Sequence, residues 1–280
     1  MNPWQKLVQF FQTFGRAFAA MRRGRIWIPF LLYGIVEGLL LAFVYYGVRP
    51  PFTDFFAGPL SFLVPEPFFH YPVHLALIPA VFYRMLIPFG ALLESLLLAA
   101  ATLMFVQLIR GVEVPRWRDA LAQVKANYLQ FVIFWILSFL LIFAFQKYYA
   151  LATADLWVGY SKRRVMVDIA DFCGSAMMNC LFAYSTAVIV VEGTNIAKTF
   201  TRSLRVFGGS LIYTMLFVIF GSILTYPFSY MMQNATDWMG RFNPEVMILL
   251  VAGNIVVGMI ASFIGIATLT FWYVFRQESA

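Results

Sequence analysis

Six stretches of this chain run for about twenty residues almost free of charge, and nothing else in the sequence limits the fold as much. About twenty apolar residues in a helix cross the ~30 Å hydrocarbon core of a bilayer. Of the 280 residues, 62% are hydrophobic and 12% charged, where a soluble domain carries about 25% charged residues. A soluble core of this length has no place for so much apolar surface, whereas lipid solvates it. The fold class expected is therefore all-α: an integral membrane helical bundle of about six transmembrane helices with amphipathic interfacial helices, one multi-pass domain over residues 1–280. The spans are expected at about Ile26 to Gly47, Phe82 to Leu108, Tyr128 to Phe145, Phe172 to Val191, Ser210 to Tyr230 and Val246 to Phe271. Spans and short connections use up the length, so no soluble catalytic domain is expected.

Orientation follows from the basic residues in the connections. Thirteen Lys and Arg fall on the side of both termini and seven on the other, so both termini are expected in the cytoplasm. Arg22, Arg23 and Arg25 precede a first run of full span length with no small-residue cleavage site after it, which reads as an uncleaved signal anchor. Lys162-Arg163-Arg164 sits on the outer side of this scheme and opposes it. Between Arg49 and Ala80 lie seven of the thirteen prolines. Proline removes a backbone donor and breaks helices, so this stretch reads either as a re-entrant or interfacial lid or as an apolar loop lying on the bilayer.

Three connections on the basic side share a pattern. Trp4, Leu7, Phe11, Phe14 and Phe18 form an apolar stripe at helical spacing; Trp117, Leu121, Val124 and Tyr128 form a second; Ile196, Phe200, Leu204 and Phe207 form a third. Basic residues occupy the other face of each. Such helices lie in the membrane interface with cations toward lipid phosphates. Arg22, Arg23, Arg25, Arg116, Arg118, Lys198, Arg202 and Arg205 are the candidate contacts to anionic phospholipid head groups. The net charge of +7 is read in the same way, as attraction to lipid rather than to nucleic acid. Each stripe leads into a pair of spans, so a threefold repeat over 1–110, 111–191 and 192–280 is a possible organisation.

The segment from Val190 to Phe207 holds Glu192-Gly193 at the end of a span and Arg202-Ser203 within the amphipathic helix that follows. It resembles a loosely defined group of bacterial six-helix membrane proteins, the YciC-like proteins and the membrane domain attached to some glycerophosphodiester phosphodiesterases. The resemblance covers about a quarter of the chain. It implies a six-helix fold in the bacterial cytoplasmic (inner) membrane and almost nothing about activity. The residues make local sense alone: Gly193 suits a helix C-terminus, Thr194 or Asn195 suits the next N-cap, and Glu192 is placed to pair with Lys198 or Arg202.

Glu37 and Glu94 are the acidic residues inside the expected spans. Ionisable groups in a bilayer are costly and mark functional positions by default. The two lie at similar depth on sequential helices, where a carboxylate pair would share a proton and suit a proton or cation relay. The plainer alternative is a protonated Glu bonding across helices as packing glue. His70 and His74, four apart, form a weak metal candidate with Pro72 between them and no third ligand. Cys173 and Cys180 stand two helical turns apart, ~11 Å, too far for a disulfide. Asn179 and Asn254 are expected to hydrogen-bond across helices.

No nucleophile elbow, phosphate loop, dinucleotide fingerprint or zinc motif occurs, so no enzyme and no cofactor are expected. The leading reading is an accessory or structural subunit of a membrane assembly, or a membrane-stabilising protein. The alternative is a small proton- or cation-coupled transporter or channel using Glu37 and Glu94. A polar cavity reaching the Glu pair would favour the transporter; a dry core with an apolar flank would favour the subunit.

Overall fold

The computed structural model describes residues 3–47, 49, 52, 73–153 and 161–278. Among them the chain is helical throughout, with no strand. The helices are α1 (Pro3–Ala20), α2 (Gly24–Tyr46), α3 (Val73–Phe89), α4 (Ser95–Ile109), α5 (Trp117–Val124), α6 (Tyr128–Thr153), α7 (Ser161–Phe182), α8 (Ser185–Glu192), α9 (Ile196–Gly209), α10 (Leu211–Gln233), α11 (Ala235–Arg241) and α12 (Val246–Glu278). A π-turn at Gly90–Glu94 joins α3 to α4, and a 3-10 turn at Lys125–Asn127 joins α5 to α6. Six helical runs are long and apolar enough to cross a membrane: Gly24–Tyr46, Val73–Ile109, Trp117–Thr153, Val165–Glu192, Leu211–Gln233 and Val246–Glu278. The protein is a multi-pass α-helical membrane bundle.

Three spans run longer than expected. The second begins at Val73 and carries Pro79 and Pro88 inside α3; Pro79 was expected to lie in the connection before the span, and Pro88 within the span. A membrane helix tolerates proline when packing and local widening re-satisfy the freed backbone, and the π-turn follows Pro88 directly. The third span takes in α5. That helix packs along α4 and buries Ala120 and Val124, while Arg118 and Asp119 stay exposed. The fourth span reaches back to Val165. It breaks at Ala183 and Tyr184, where Ser185 Oγ donates to the Phe182 carbonyl at 2.6 Å. Of the Pro-rich stretch, residues from Val73 onward are helix; 53–72, with His70, lie outside the described residues.

The longest helix, α12, is the hub, packing on α10, α2, α1, α4 and α3. Two apolar layers are stacked along it. Toward the basic end, Phe30, Ala99, Ala100, Phe105, Phe263 and Phe271 pack together. Toward the other end, Leu40, Leu41, Leu75, Phe82, Val251 and Ile255 do so. Glycine sets the helix spacing at Gly34, where an added Cβ would run into the Met259 sulfur of α12. Between the layers lie Tyr33 and Glu37 of α2, Glu94 of the π-turn, and Gly258 and Ser262 of α12.

The basic end is tied by polar contacts. Lys6 Nζ and Arg276 Nη2 both donate to the Gly209 carbonyl, at 3.5 and 2.8 Å, and the Arg16 guanidinium sits 4.6 Å from the Phe275 ring. Gly193 closes α8 in the left-handed region at φ 59°, a conformation glycine adopts without cost. Asn195 caps α9 by accepting the Lys198 N–H at 3.0 Å. The α1 helix turns Phe10, Thr13, Ala17 and Ala20 inward. Its expected stripe faces outward, with Trp4, Phe11 and Phe18 exposed.

Candidate functional site

Glu37 lies 13 residues into α2, and Glu94 lies 15 residues before the end of α4. At 1.5 Å per residue both stand ~20 Å from the basic end. The structure brings them to one small cavity of about 90 Å³, shared with Tyr33, Tyr83 and Asn254. A water molecule occupies about 30 Å³ of liquid volume, so the space suits a few waters. The partners of Glu94 are neutral donors. Trp135 Nε1 of α6 donates to Glu94 Oε2 at 3.2 Å, and the Tyr33 hydroxyl of α2 donates to the same carboxylate. Asn254 Nδ2 donates to the Tyr83 hydroxyl at 2.6 Å, while its Oδ1 finds no partner among the described residues.

The π-turn explains how Glu94 comes to this position. A wide turn shifts the register of the residues beyond it, and such turns cluster at functional positions. Gly90, the first residue of the turn, makes room for Trp135; an added Cβ would strike the indole at Cζ2. The Trp135 ring therefore lies against the backbone and reaches Glu94 from about two turns into α6. Ser95 Oγ donates to the Ala91 carbonyl at 2.5 Å, and the Tyr128 hydroxyl donates to the Leu92 carbonyl at 2.9 Å. These bonds satisfy carbonyls that the wide turn presents poorly to its own backbone.

On the other side of Glu94 opens a larger cavity of about 500 Å³. Glu94, Leu98, Gly258 and Ser262 border both spaces, so Glu94 stands between them. Five spans contribute walls. Hydroxyl and amide groups, among them Ser138, Asn179, Thr186, Ser222 and Thr225, alternate with the rings of Phe131, Trp135, Phe139 and Phe182. Among the described residues that line it, Glu94 is the one charged group. The break between α7 and α8 places Ala183 and Ser185 on this wall, and the Tyr184 hydroxyl holds the break at 2.7 Å from Thr214 Oγ1.

The other expected sites sort by geometry. Arg22, Arg23, Arg25, Arg116, Arg118, Lys198 and Arg205 are exposed at the basic end. Arg202 is half-buried and also serves the fold: its Nε donates to Glu192 Oε1 at 3.2 Å in an ion pair, and the Tyr273 hydroxyl donates to the same oxygen. Helix geometry accounts for this, because Gly193 turns α9 back under α8. His74 is buried in α3, and among the described residues no three metal-ligating side chains gather. Cys173 and Cys180 are both free thiols. Asn254 bonds across helices as expected, and Asn179 lines the large cavity. Tyr33 and Trp135, which hold Glu94, escaped the sequence reading; their signal was an aromatic with a polar atom well inside a span, away from the interface where such rings usually sit.

No protein-family model, curated protein or solved structure matches this chain.

Proposed function

We propose that the protein is a small transporter in which Glu37 and Glu94 carry a proton or a cation. The observation that supports this most is the placement of Glu94 between a ~90 Å³ chamber holding Glu37 and a ~500 Å³ cavity whose largely apolar walls carry scattered hydroxyl and amide groups. A carboxylate meant only as packing glue gains nothing from two flanking spaces. One that exchanges a proton needs a neighbour to take it and a route for what replaces it. Glu37 is the neighbour, and the large cavity is the route. The chain is assigned to the bacterial cytoplasmic membrane with the basic end and both termini inside, as the charge bias and the resemblance to YciC-like membrane proteins imply. Arg22, Arg23, Arg25, Arg116, Arg118, Lys198 and Arg205 then meet anionic head groups.

The test is flux. Purified protein goes into liposomes with a trapped pH-sensitive dye, and a pH step or a potassium diffusion potential drives movement. Wild type is expected to move protons or cations, Glu94→Gln to abolish it, and Glu37→Gln to slow it. Flux equal in wild type and Glu94→Gln removes the carboxylate from the mechanism.

A second reading, an accessory subunit, draws on one feature. Trp4 is 69% exposed and Phe11 63% exposed on a helix whose other face already packs on the bundle. That stripe suits a partner helix as well as lipid. Co-purification in mild detergent, with Trp4→Ser/Phe11→Ser beside wild type, separates the two: a stoichiometric partner lost in the variant supports the subunit.

A further inference from the structure

We infer that the ~500 Å³ cavity binds a small organic cation, an ammonium carried on an apolar body, with Glu94 as its counter-ion. The inference rests on the transport reading above and gives it a cargo class. Size comes first: small-molecule pockets span about 300 to 1,000 Å³, and this one holds about 500 Å³. Charge comes second: Glu94 supplies a negative charge, and the described lining residues supply no Lys, Arg or His to receive an anion. Wall chemistry comes third. Aromatic faces attract cations, most strongly where water is excluded. Trp135 and Phe139 stack at 5.5 Å and 8°, and Phe134 meets Phe182 at 6.1 Å. The same walls reject a bare metal ion, which demands six or more oxygen ligands at 2.0–2.6 Å as a rough guide. An ammonium with hydrocarbon substituents uses everything present: carboxylate, ring faces and hydroxyls.

Exchange then balances. In the empty cavity Glu94 holds the proton, bonded by Trp135 and Tyr33. Glu37 holds a proton as well; the arriving cation takes the place of the Glu94 proton, which passes to Glu37 across the small chamber as Glu37 gives up its own proton and that proton leaves the site. The titratable groups facing Glu94 are Tyr33 and Glu37 from α2 and Tyr83 from α3; α6 and α12 bring Trp135, Ser262 and Asn254, which do not titrate in this range. One positive charge enters as one leaves, so the site stays neutral throughout. A free amine and a lipid with a cationic head group share this chemistry.

The experiment is equilibrium binding of radiolabelled benzyltrimethylammonium, a fixed cation, to the purified full chain in detergent. A second arm adds vesicle-derived lipid with a choline head group as competitor. Wild type is expected to bind saturably, Glu94→Gln at least tenfold more weakly, and Ser222→Phe, which fills the far wall without touching the carboxylate, likewise. Gel filtration and thermal midpoints show that each variant is folded. Competition by the lipid identifies a head group as the source; its absence identifies a free amine. No saturable binding, or equal binding in Glu94→Gln, overturns the inference. Flux that depends on Glu94 in the absence of such binding sinks the cargo class alone, whereas Glu94-dependent binding without any flux sinks the transport reading alone.

Discussion

Two carboxylates in this bundle have opposite surroundings. Glu192, at the basic end, accepts from the Arg202 guanidinium and from the Tyr273 hydroxyl. Its charge is matched inside the protein, and the pair joins α8, α9 and α12. Glu94, deep in the second span, accepts from Trp135 and Tyr33. Those donors are neutral, so they orient the carboxylate without cancelling its charge. A low-dielectric site leaves an unmatched carboxylate two options, a proton or an external cation. Glu192 is therefore a structural staple, whereas Glu94 is the carboxylate to which the proposed transport assigns exchange, and the contrast lies in the partner's charge rather than in burial.

The sharpest break of this contrast is the same substitution at both places. Glu94→Gln should lower cation-dependent flux by about tenfold or more, ~1.4 kcal/mol or above on the free-energy scale. Glu192→Gln should leave flux within about twofold of wild type, since it leaves the cavity walls intact. Equal losses would mean that both carboxylates act through the fold. Next in size is Gly90→Val, which drives a branched side chain into Trp135. Overpacking of this kind costs about 1–3 kcal/mol, and thermal unfolding should read it. The displaced indole should also shift the tryptophan emission. Gly38→Val, at a position where an added Cβ meets nothing within 4 Å, is the matched control and should do neither.

Removing the staple is a smaller effect. Hydrogen bonds to charged groups contribute about 1.5–3 kcal/mol, and Glu192 and Arg202 keep 20% and 35% of their side-chain surface exposed. Solvent screening reduces the value of such a pair to about 1 kcal/mol. A double-mutant cycle of Glu192→Gln and Arg202→Met, followed by thermal unfolding, isolates it. A coupling near zero would place Glu192 beside Arg202 by accident of packing and weaken the comparison.

How much of this could be read beforehand differs between fold and site. The six spans were legible because lipid solvation demands long apolar runs, and length alone finds them. Glu37 and Glu94 were legible for the same reason turned around: a charge stands out where none is tolerated. The ends of the spans were not. Pro79 read as a breaker, because the cost of proline in a helix is local while its relief comes from neighbours. The amphipathic stripe of Trp117, Leu121 and Val124 on α5 was legible; its packing against the small side chains Ala99 to Ala101 of α4 depends on tertiary contact. The cavity was illegible for a further reason. Ser138, Thr186, Ser222 and Ser262 sit in four different spans, and a hydroxyl on a membrane helix normally bonds its own backbone, as Ser222 does to the Val218 carbonyl at 3.0 Å. Their gathering on one wall is visible in three dimensions alone.

The smallest effect tests whether the staple or the cap holds α9 in place. Asn195 accepts the Lys198 N–H at 3.0 Å, and losing such a cap costs about 1 kcal/mol. Asn195→Ala should therefore leave the global midpoint nearly unchanged while raising local opening of α9 about fivefold, the factor that corresponds to ~1 kcal/mol. Cys180 provides the reporter. It is fully buried in the cluster that includes Phe207 of α9, and Ser203 of α9 donates to the neighbouring Leu181 carbonyl at 3.2 Å. With Cys173, the exposed thiol, changed to Ser, the rate at which a thiol reagent labels Cys180 measures that opening. Asn195→Asp keeps the acceptor and should label at the wild-type rate. If Asn195→Ala also labels at the wild-type rate, the Glu192–Arg202 pair holds the helix unaided; if it labels faster only when Glu192→Gln is added, cap and staple are redundant supports of the same closed end.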